Sequence, residues 1–197
     1  MSATRLLILG AVRRRGRAHG YQVRSDLESW GAHEWAGMKP GSIYHGLKQM
    51  AAQGLLVSHD TEPSTAGGPP RTEYEITPPG EEAYFTLLRD ALVRPDQRLD
   101  MISAGVGLID DLSRGEAIEL LERRVRGLEE WRSAVTAQWT PGTDAEAWGA
   151  VGEVLGMWVH TADTGAQWTR GLIDRLRRGA YAMADEPLRE TGRERAQ

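Results

Sequence analysis

The 197-residue sequence contains no cysteine, and this absence removes several chemical classes at once. Disulfide cross-links, thiolate nucleophiles and cysteine-ligated zinc or iron–sulfur sites all require that side chain. A chain without cysteine is typical of the cytoplasm, which is the location we expect for this protein.

Long apolar runs are also missing. No stretch approaches the ~18 consecutive apolar residues of a membrane-spanning helix, so we expect no membrane association. The first residues place a short apolar run before the positive charges, which is the reverse of a secretory signal, and none is expected. The five histidines include no H-x-x-x-H pair, so neither a metal site nor a cofactor is predicted.

Catalytic signatures are absent as well. The sequence has no G-x-S-x-G nucleophile elbow, no P-loop and no G-x-G-x-x-G turn. Gly10, Gly16 and Gly20 are too widely spaced to cradle a phosphate, and nothing marks a catalytic carboxylate pair. We therefore expect a protein that is not an enzyme.

Charge is distributed unevenly along the chain. Residues 1–57 carry eight Lys or Arg against three Asp or Glu, a net of +5, whereas residues 91–197 carry fourteen against eighteen, a net of −4. A basic N-terminal part on an acidic remainder is typical of a DNA-binding head joined to a body that binds a protein partner.

Periodicity in the N-terminal part predicts helices over about 4–15, 21–31 and 40–53, strands over 55–61 and 71–77, and a helix over 79–93. Pro40 suits the first turn of the third helix, and Gly54 suits its end. The Gly- and Pro-rich segment 62–70 predicts a flexible hairpin tip, or wing. This order of elements is that of a winged helix-turn-helix.

The remainder of the chain predicts helices only. We expect them over about 97–111, from a Ser113 cap to about Trp139, and from a Thr143 cap to about Arg178. The predicted fold is thus mostly α with a small β-hairpin wing. We expect a winged helix-turn-helix domain over 1–94, a helical dimerisation and effector domain over 95–180, and a flexible tail over 181–197.

The third helix is the candidate DNA-reading element, because a major groove admits one α-helix. Its inner face would carry Ile43, Leu47 and Met50, and its outer face would present Ser42, His45, Lys48 and Gln49 to base edges. Phosphate contacts are expected from Lys39, Arg71 and the Arg13–Arg17 run, and Gly68 in the wing permits close approach to a sugar-phosphate strand.

Four linked motifs resemble those of PadR-type regulators: LLILGAV (6–12), GYQV (20–23), KPGSIYHGLKQMAAQGLL (39–56) and RTEYEITPPGEEA (71–83). The resemblance covers about residues 5–90 and implies a bacterial repressor with a dimerising helical C-terminal part. By this resemblance, the recognition-helix positions of the family correspond to Ser42, Tyr44, His45 and Lys48. Tyr21 corresponds to a further tyrosine of the site. His45 stands where the family often has proline, and residues 49–52 are uncharged where the family usually has charged residues. These two differences leave the base preference open.

The last helix carries a near-heptad apolar stripe that predicts a dimer interface. At ~1.5 Å per residue it is roughly 50 Å long, which a small body covers poorly, and its glycines suit the close approach of another backbone. A homodimer would set two recognition helices ~34 Å apart over a pseudo-palindromic operator. The expected interface residues are Val151, Leu155, Trp158, Ala162, Leu172 and Leu176.

Five of the seven tryptophans lie in the last two predicted helices. They favour either a pocket for a planar aromatic effector, formed by Trp131, Trp148, Trp158 and His160, or plain core and dimer packing. The function predicted from the sequence is a ligand-responsive repressor that binds double-stranded DNA as a homodimer. The alternative is a winged-helix module that binds protein and no operator.

Overall fold

The computed structural model describes residues 2–61, 71–139 and 145–186. These residues are mostly helical, with a small antiparallel sheet, and they form two compact units. The first unit holds the described residues up to Ala91 together with Gln97–Leu108, and the second holds Leu92–Asp96 with the described residues from Ile109 onward. The domain boundary expected after residue 94 stays a prediction.

The first unit begins with three helices and a short strand that precede the DNA-reading candidate. Its elements are α1 (Ala3–Arg15), β1 (Arg17–His19), α2 (Gly20–Ser29), α3 (Ala32–Trp35), α4 (Pro40–Ala52), β2 (Leu56–Thr61), β3 (Arg71–Ile76), α5 (Pro78–Val93) and α6 (Leu99–Gly107). The helices and strands predicted up to residue 93 are confirmed to within a few residues at each end. The sequence did not predict β1 and α3.

The sheet has the strand order β1-β3-β2, so that β3 pairs on both sides. Glu73 lies opposite His19 on one side and His59 on the other, and Glu75 lies opposite Arg17 and Val57. Alternation along β3 turns Tyr74 into the core and leaves the two glutamates on the other face. The hairpin tip at 62–70 lies outside the described residues.

Helix α1 forms the centre of the first unit. It is apolar around its whole circumference, and Leu6, Leu7, Ile8 and Leu9 are all at most 2% exposed. Gly10 allows close packing, because a Cβ there would lie 3.0 Å from the Leu108 side chain. Burial on every side explains why a helix with almost no polar face is stable here.

The second unit is a helical hairpin preceded by the 3-10 turn Ile109–Asp111. Its helices are α7 (Arg114–Thr136) and α8 (Ala145–Arg177). Ser113 caps α7 as predicted, since its Oγ accepts a hydrogen bond from the Glu116 N–H at 3.2 Å. The helix predicted over 97–111 instead ends at Gly107, and the predicted break at 141–143 lies outside the described residues.

The seam between α7 and α8 corrects two expectations. A Cβ added at Gly156 would lie 3.4 Å from the Trp139 ring, and one added at Gly165 would lie 3.4 Å from the Leu128 side chain. These glycines therefore make room for side chains of the same chain. No partner backbone is needed to explain them. Three residues expected at the dimer interface are already buried within their own chain, at no more than 3% exposed: Ala162, Leu172 and Leu176.

One edge of this hairpin is charged. Three ion pairs join α7 to α8 along it, between Arg132 and Asp163 at 2.6 Å, Glu129 and Arg170, and Glu122 and Arg177 at 2.6 Å. Exposed pairs of this kind contribute little to stability individually, about 0–1 kcal/mol each. They do mark this edge as one that faces water.

Arg114, at the start of α7, holds the chain beyond α8. Its guanidinium donates to both carboxylate oxygens of Glu186, at 2.5 and 2.7 Å, and to the Tyr181 carbonyl oxygen at 2.5 Å. The Ala184 N–H also donates to the Leu112 carbonyl at 3.1 Å. Residues 181–186 therefore contact the start of α7, and 187–197 lie outside the described residues, so the flexible tail expected from residue 181 stays a prediction.

Candidate nucleic-acid interface

Helix α4 has one buried face and one exposed polar face. Ile43, Leu47 and Met50 are at most 3% exposed, and they anchor the helix to the core of the first unit. The residues predicted to read DNA lie exposed on the other side: Ser42, Tyr44, His45, Lys48 and Gln49, with Lys39 at the preceding N-cap. These side chains are therefore grouped on one helical surface, as the 3.6-residue period requires.

Both ends of α4 are fixed by short-range contacts. At its start, the Ser42 hydroxyl donates to the Lys39 carbonyl at 2.6 Å. At its end, Gly54 adopts φ +73°, and its carbonyl accepts a hydrogen bond from the Thr77 hydroxyl at 2.7 Å. Thr77 also caps α5, since its Oγ1 accepts from the Gly80 N–H at 3.1 Å. The end of α4 and the start of α5 thus share one hydrogen-bonded joint.

Tyr21 and Tyr44 add two exposed aromatic rings to this region, at 51% and 40% exposure. The Tyr21 ring stacks on His19, with centroids 5.4 Å apart, and His19 Nε2 lies 3.3 Å from a Glu73 carboxylate oxygen. Tyr44 extends over Gly20 of α2. Each ring is therefore supported by a neighbouring element and has limited freedom to move.

Three arginines, two at the end of α1 and one in β1, form ion pairs with acidic residues of the first unit. Arg13 pairs with Glu81 at 2.9 Å and lies over the Phe85 ring, and Arg15 pairs bidentately with Asp26 at 2.5 and 2.6 Å. Arg17 Nε donates to Glu75 at 2.8 Å. Glu81 and Glu75 lie outside residues 1–57, so these two pairs compensate two of the five net positive charges counted there.

Glu75 links strands of the sheet electrostatically. Nε2 of His59 and Nε of Arg17 both bind its Oε2, at 2.9 and 2.8 Å. These hydrogen bonds, the one from His59 first, hold the pKa of the Glu75 carboxyl below its ordinary value. The carboxylate on β3 therefore links one side chain of β1 and one of β2.

Two further predicted DNA contacts lie outside α4. Gly68 lies in the segment 62–70, outside the described residues, and Arg71 is described only as the first residue of β3. Sequence reasoning also missed the Arg24–Glu28 pair on α2, in which the Arg24 Nε donates to Glu28 Oε1 at 2.6 Å. The four-residue spacing between them along one helix was the signal that could have found this pair.

In the second unit, Trp131 and Trp158 come together, with ring centroids 6.1 Å apart and a tilt of 38°. Trp148 is exposed, but His160 lies two residues from Trp158 and therefore on the far side of α8. A groove of about 340 Å³ between α7 and α8 includes none of the four predicted pocket residues. Its lining residues are Glu122, Val125, Arg126, Arg170, Ile173, Asp174 and Arg177.

An apolar stripe is exposed on α8. Of the residues expected at the dimer interface, Val151 and Trp158 lie on it, at 56% and 41% exposure, and Leu155 is half-buried. The sequence did not single out three further members: Val154, Met157 and Trp168.

Within the described ranges, no group of His, Asp or Glu residues could hold a metal ion. A search of the same ranges for helices long and apolar enough to cross a bilayer found none.

One family model and several solved structures are similar to the chain. The sequence model of the transcriptional regulator PadR-like family matches residues 8–85, from α1 into α5. The chain is also similar to the crystal structure of Bacillus subtilis PadR with operator DNA, at 20% identity over 87% of this chain and 98% of that one, with a TM-score of 0.38. No curated protein matches the sequence.

Two further crystal structures resemble the chain. B. subtilis PadR with p-coumaric acid is 20% identical over 89% of this chain and 99% of that one, with a TM-score of 0.36. A PadR-like regulator from Bacillus cereus is 15% identical over the same shares, with a TM-score of 0.35. The fold is a winged helix with a helical C-terminal region, and residues 8–85 match the PadR-like family of transcriptional regulators.

Proposed function

We propose that this protein regulates transcription by binding a specific DNA site with the exposed face of α4. The observation that carries the proposal is the division of that helix into a buried anchor of three apolar residues and an exposed polar face. A rigidly held helix with hydrogen-bonding side chains on one surface fits a major groove. Lys39 and Lys48 supply positive charge near the phosphates.

The test is binding to the DNA that lies upstream of the protein's own gene, measured over a series of salt concentrations. Phosphate neutralisation requires affinity to fall steeply with salt. Lys48→Ala should lower the slope by about 0.9 if Lys48 contacts a phosphate, or relax discrimination at one base step by ~1–3 kcal/mol if it reads a guanine. Arg98→Ala, at the N-cap of α6, is the matched loss of an exposed cation.

An unchanged slope and unchanged discrimination in Lys48→Ala would remove this residue from the interface. Binding that is weak and insensitive to salt in the wild-type protein would instead favour the alternative, a winged-helix module that binds another protein.

We also infer that two copies of the chain associate through α8. The exposed apolar stripe on this helix is of a kind that monomers seldom leave in water. The other edge of the hairpin carries the three ion pairs between α7 and α8, so the stripe is the face that favours a partner. A twofold dimer would present two α4 helices to a pseudo-palindromic operator.

Sedimentation equilibrium at micromolar concentration tests the dimer. Met157→Asp places a charge in the stripe and should shift the protein toward the monomer, because a buried, unpaired charge is costly. Gln167→Asp is the control, since Gln167 is exposed and lies nine residues from Trp158, on the opposite side of the helix. A monomeric wild-type mass contradicts the proposal.

Repression by occupancy and release by a planar aromatic effector complete the proposal. The Trp131–Trp158 pair offers indole faces on which such a ligand could stack. An effector must bind the released arrangement more tightly than the DNA-bound one. Fluorescence titration with a panel of planar aromatic compounds, each also tested for DNA release, checks this, and a panel without quenching or release rejects it.

A further inference from the structure

The groove between α7 and α8 has an apolar bottom and a charged rim. Val125 and Ile173 line it at only 8% and 4% exposure, so they lie at its bottom. The other five lining residues are charged, and all of them are more exposed than these two. The groove volume of about 340 Å³ is at the small end of the roughly 300–1,000 Å³ that small-molecule sites occupy. An apolar body of modest size therefore fits against the bottom.

Two of the three arginines on the rim already have partners. Arg177 Nη2 donates to Glu122 Oε1 at 2.6 Å, and Arg177 Nη1 lies 3.9 Å from Asp174 Oδ1. Arg170 pairs with Glu129, which is not part of the groove lining. The carboxylates around the groove are thus bound to these two arginines.

Arg126 is the remaining cation of the rim. Glu122 precedes it by one turn of α7, at a spacing that favours an ion pair, but that carboxylate binds Arg177 across the seam instead. Among the residues that the structure describes, no carboxylate oxygen comes within 4 Å of an Arg126 guanidinium nitrogen. The groove therefore combines an apolar bottom with one positive charge that a ligand can neutralise.

We propose that this groove binds a small monocarboxylate, whose apolar body lies on the bottom and whose carboxylate pairs with Arg126. A guanidinium binds a carboxylate through two parallel hydrogen bonds, which favours this anion over a spherical one. Glu122 and Asp174 on the same rim repel a second negative charge, so a monoanion fits better than a phosphate or a dicarboxylate. The site requires neither DNA binding nor the tryptophan pair.

Cyclohexanecarboxylate is the probe, because its saturated ring offers no planar face to the tryptophan pair. Binding is followed on the full chain, labelled with ¹³C at the isoleucine δ1 methyl groups, and the Ile173 signal is identified by its loss in Ile173→Val. The probe should shift this signal with a Kd of about 1–10 mM, as expected for so small a ligand. Cyclohexanecarboxamide, the neutral analogue, should bind about fivefold more weakly, and acetate, which lacks the ring, should leave the signal unmoved.

Three variants test the charges. Arg126→Met should weaken binding of the carboxylate about five- to tenfold and leave the amide unchanged, because it removes a hydrogen bond to a charged group. Arg123→Met is the matched control, since Arg123 is also exposed on α7 and does not line the groove. Asp174→Asn removes a negative charge from the rim and should tighten binding of the carboxylate about two- to fivefold.

Four outcomes overturn the proposal. An Ile173 signal that stays unmoved at probe concentrations well above the expected Kd means that the groove binds no such ligand. Equal affinities for acid and amide mean that the charge is not recognised. Equal losses in Arg126→Met and Arg123→Met mean that no contact with Arg126 forms. An acetate shift as large as that of the probe means that the ring makes no contact. None of these measurements involves DNA, so they decide the site independently of the function proposed above.

Discussion

Gly80 in the first turn of α5 should be intolerant of any side chain, although alanine is a better helix former than glycine. A Cβ at this position would lie 2.0 Å from the Leu55 carbonyl oxygen and 2.8 Å from Cγ1 of Ile76. The backbone of Leu55 would have to retreat by about 1 Å to reach normal contact. That movement disrupts the joint that connects the end of α4 to the start of α5.

The expected loss can be worked from that joint. Two hydrogen bonds are at risk, from the Thr77 N–H to the Leu55 carbonyl at 3.1 Å and from the Thr77 hydroxyl to the Gly54 carbonyl at 2.7 Å. At about 1 kcal/mol each, with 1–3 kcal/mol for overpacking and less the ~1 kcal/mol of helix propensity gained, Gly80→Ala should destabilise the first unit by about 2–4 kcal/mol.

Differential scanning calorimetry should therefore show the Tm of the first unit lowered by about 10–30 °C, using ~4–8 °C per kcal/mol for a domain of about 100 residues. Gly41→Ala is the matched control, because Gly41 also lies in the first turn of a helix in the same unit and nothing stands within 4 Å of its added Cβ. If Gly80→Ala is as stable as Gly41→Ala, the reasoning from the close approach to Leu55 is refuted.

Three further predictions concern other elements. Gly149→Ala should destabilise the second unit by about 1–3 kcal/mol in urea unfolding, because φ +48° with ψ −135° strains any residue with a Cβ, whereas Gly115→Ala in α7 should not. Ser113→Ala should cost the same unit about 1 kcal/mol through loss of the α7 cap, and an unchanged urea midpoint would exclude that role. The Glu75 carboxyl has a lowered pKa in the folded state, so its contribution to folding stability is present above its unfolded pKa and is lost as pH falls through its folded pKa. On acidification, the Tm of Glu75→Gln should therefore drop less than the Tm of the wild type. Parallel curves of Tm against pH would contradict this prediction.

The elements of the first unit were predictable where the sequence contains both a period and a stop signal. Helix α4 has Pro40 at its start, Gly54 just after its end, and apolar residues at i, i+4 and i+7 between them. The alternation of Tyr74 and Ile76 with glutamates likewise predicted β3 and which of its residues face the core. Local signals of this kind determine local structure, and they needed no knowledge of the rest of the fold.

Other features depend on residues that are distant in sequence. Strand β1 has three residues and exists because β3 lies beside it, some 55 positions later. The partner of Arg13 is Glu81, which no spacing rule would indicate, so the arginine run looked more available to DNA than it is. A sequence pattern gives the sign of a charge, whereas its partners come from the tertiary fold.

The C-terminal stripe shows a second limit. Apolar residues every three to four positions define a face of α8, but the period does not say whether that face meets another helix of the chain or a second copy. The structure divides the predicted residues: Leu172 and Leu176 pack inside, whereas Val151 and Trp158 stay in contact with solvent. The two faces are adjacent on one helix, and their patterns overlap in the sequence.

The internal pairing of Arg13, Arg15 and Arg17 has a consequence for how such a regulator would search a genome. Each cation already compensated by a carboxylate contributes little to attraction by random DNA, since nonspecific affinity comes almost entirely from displaced counterions. We expect brief stays on unrelated sequences and a larger share of the discrimination from neutral donors and acceptors on α4. The protein would then reach its operator by many short encounters instead of long slides.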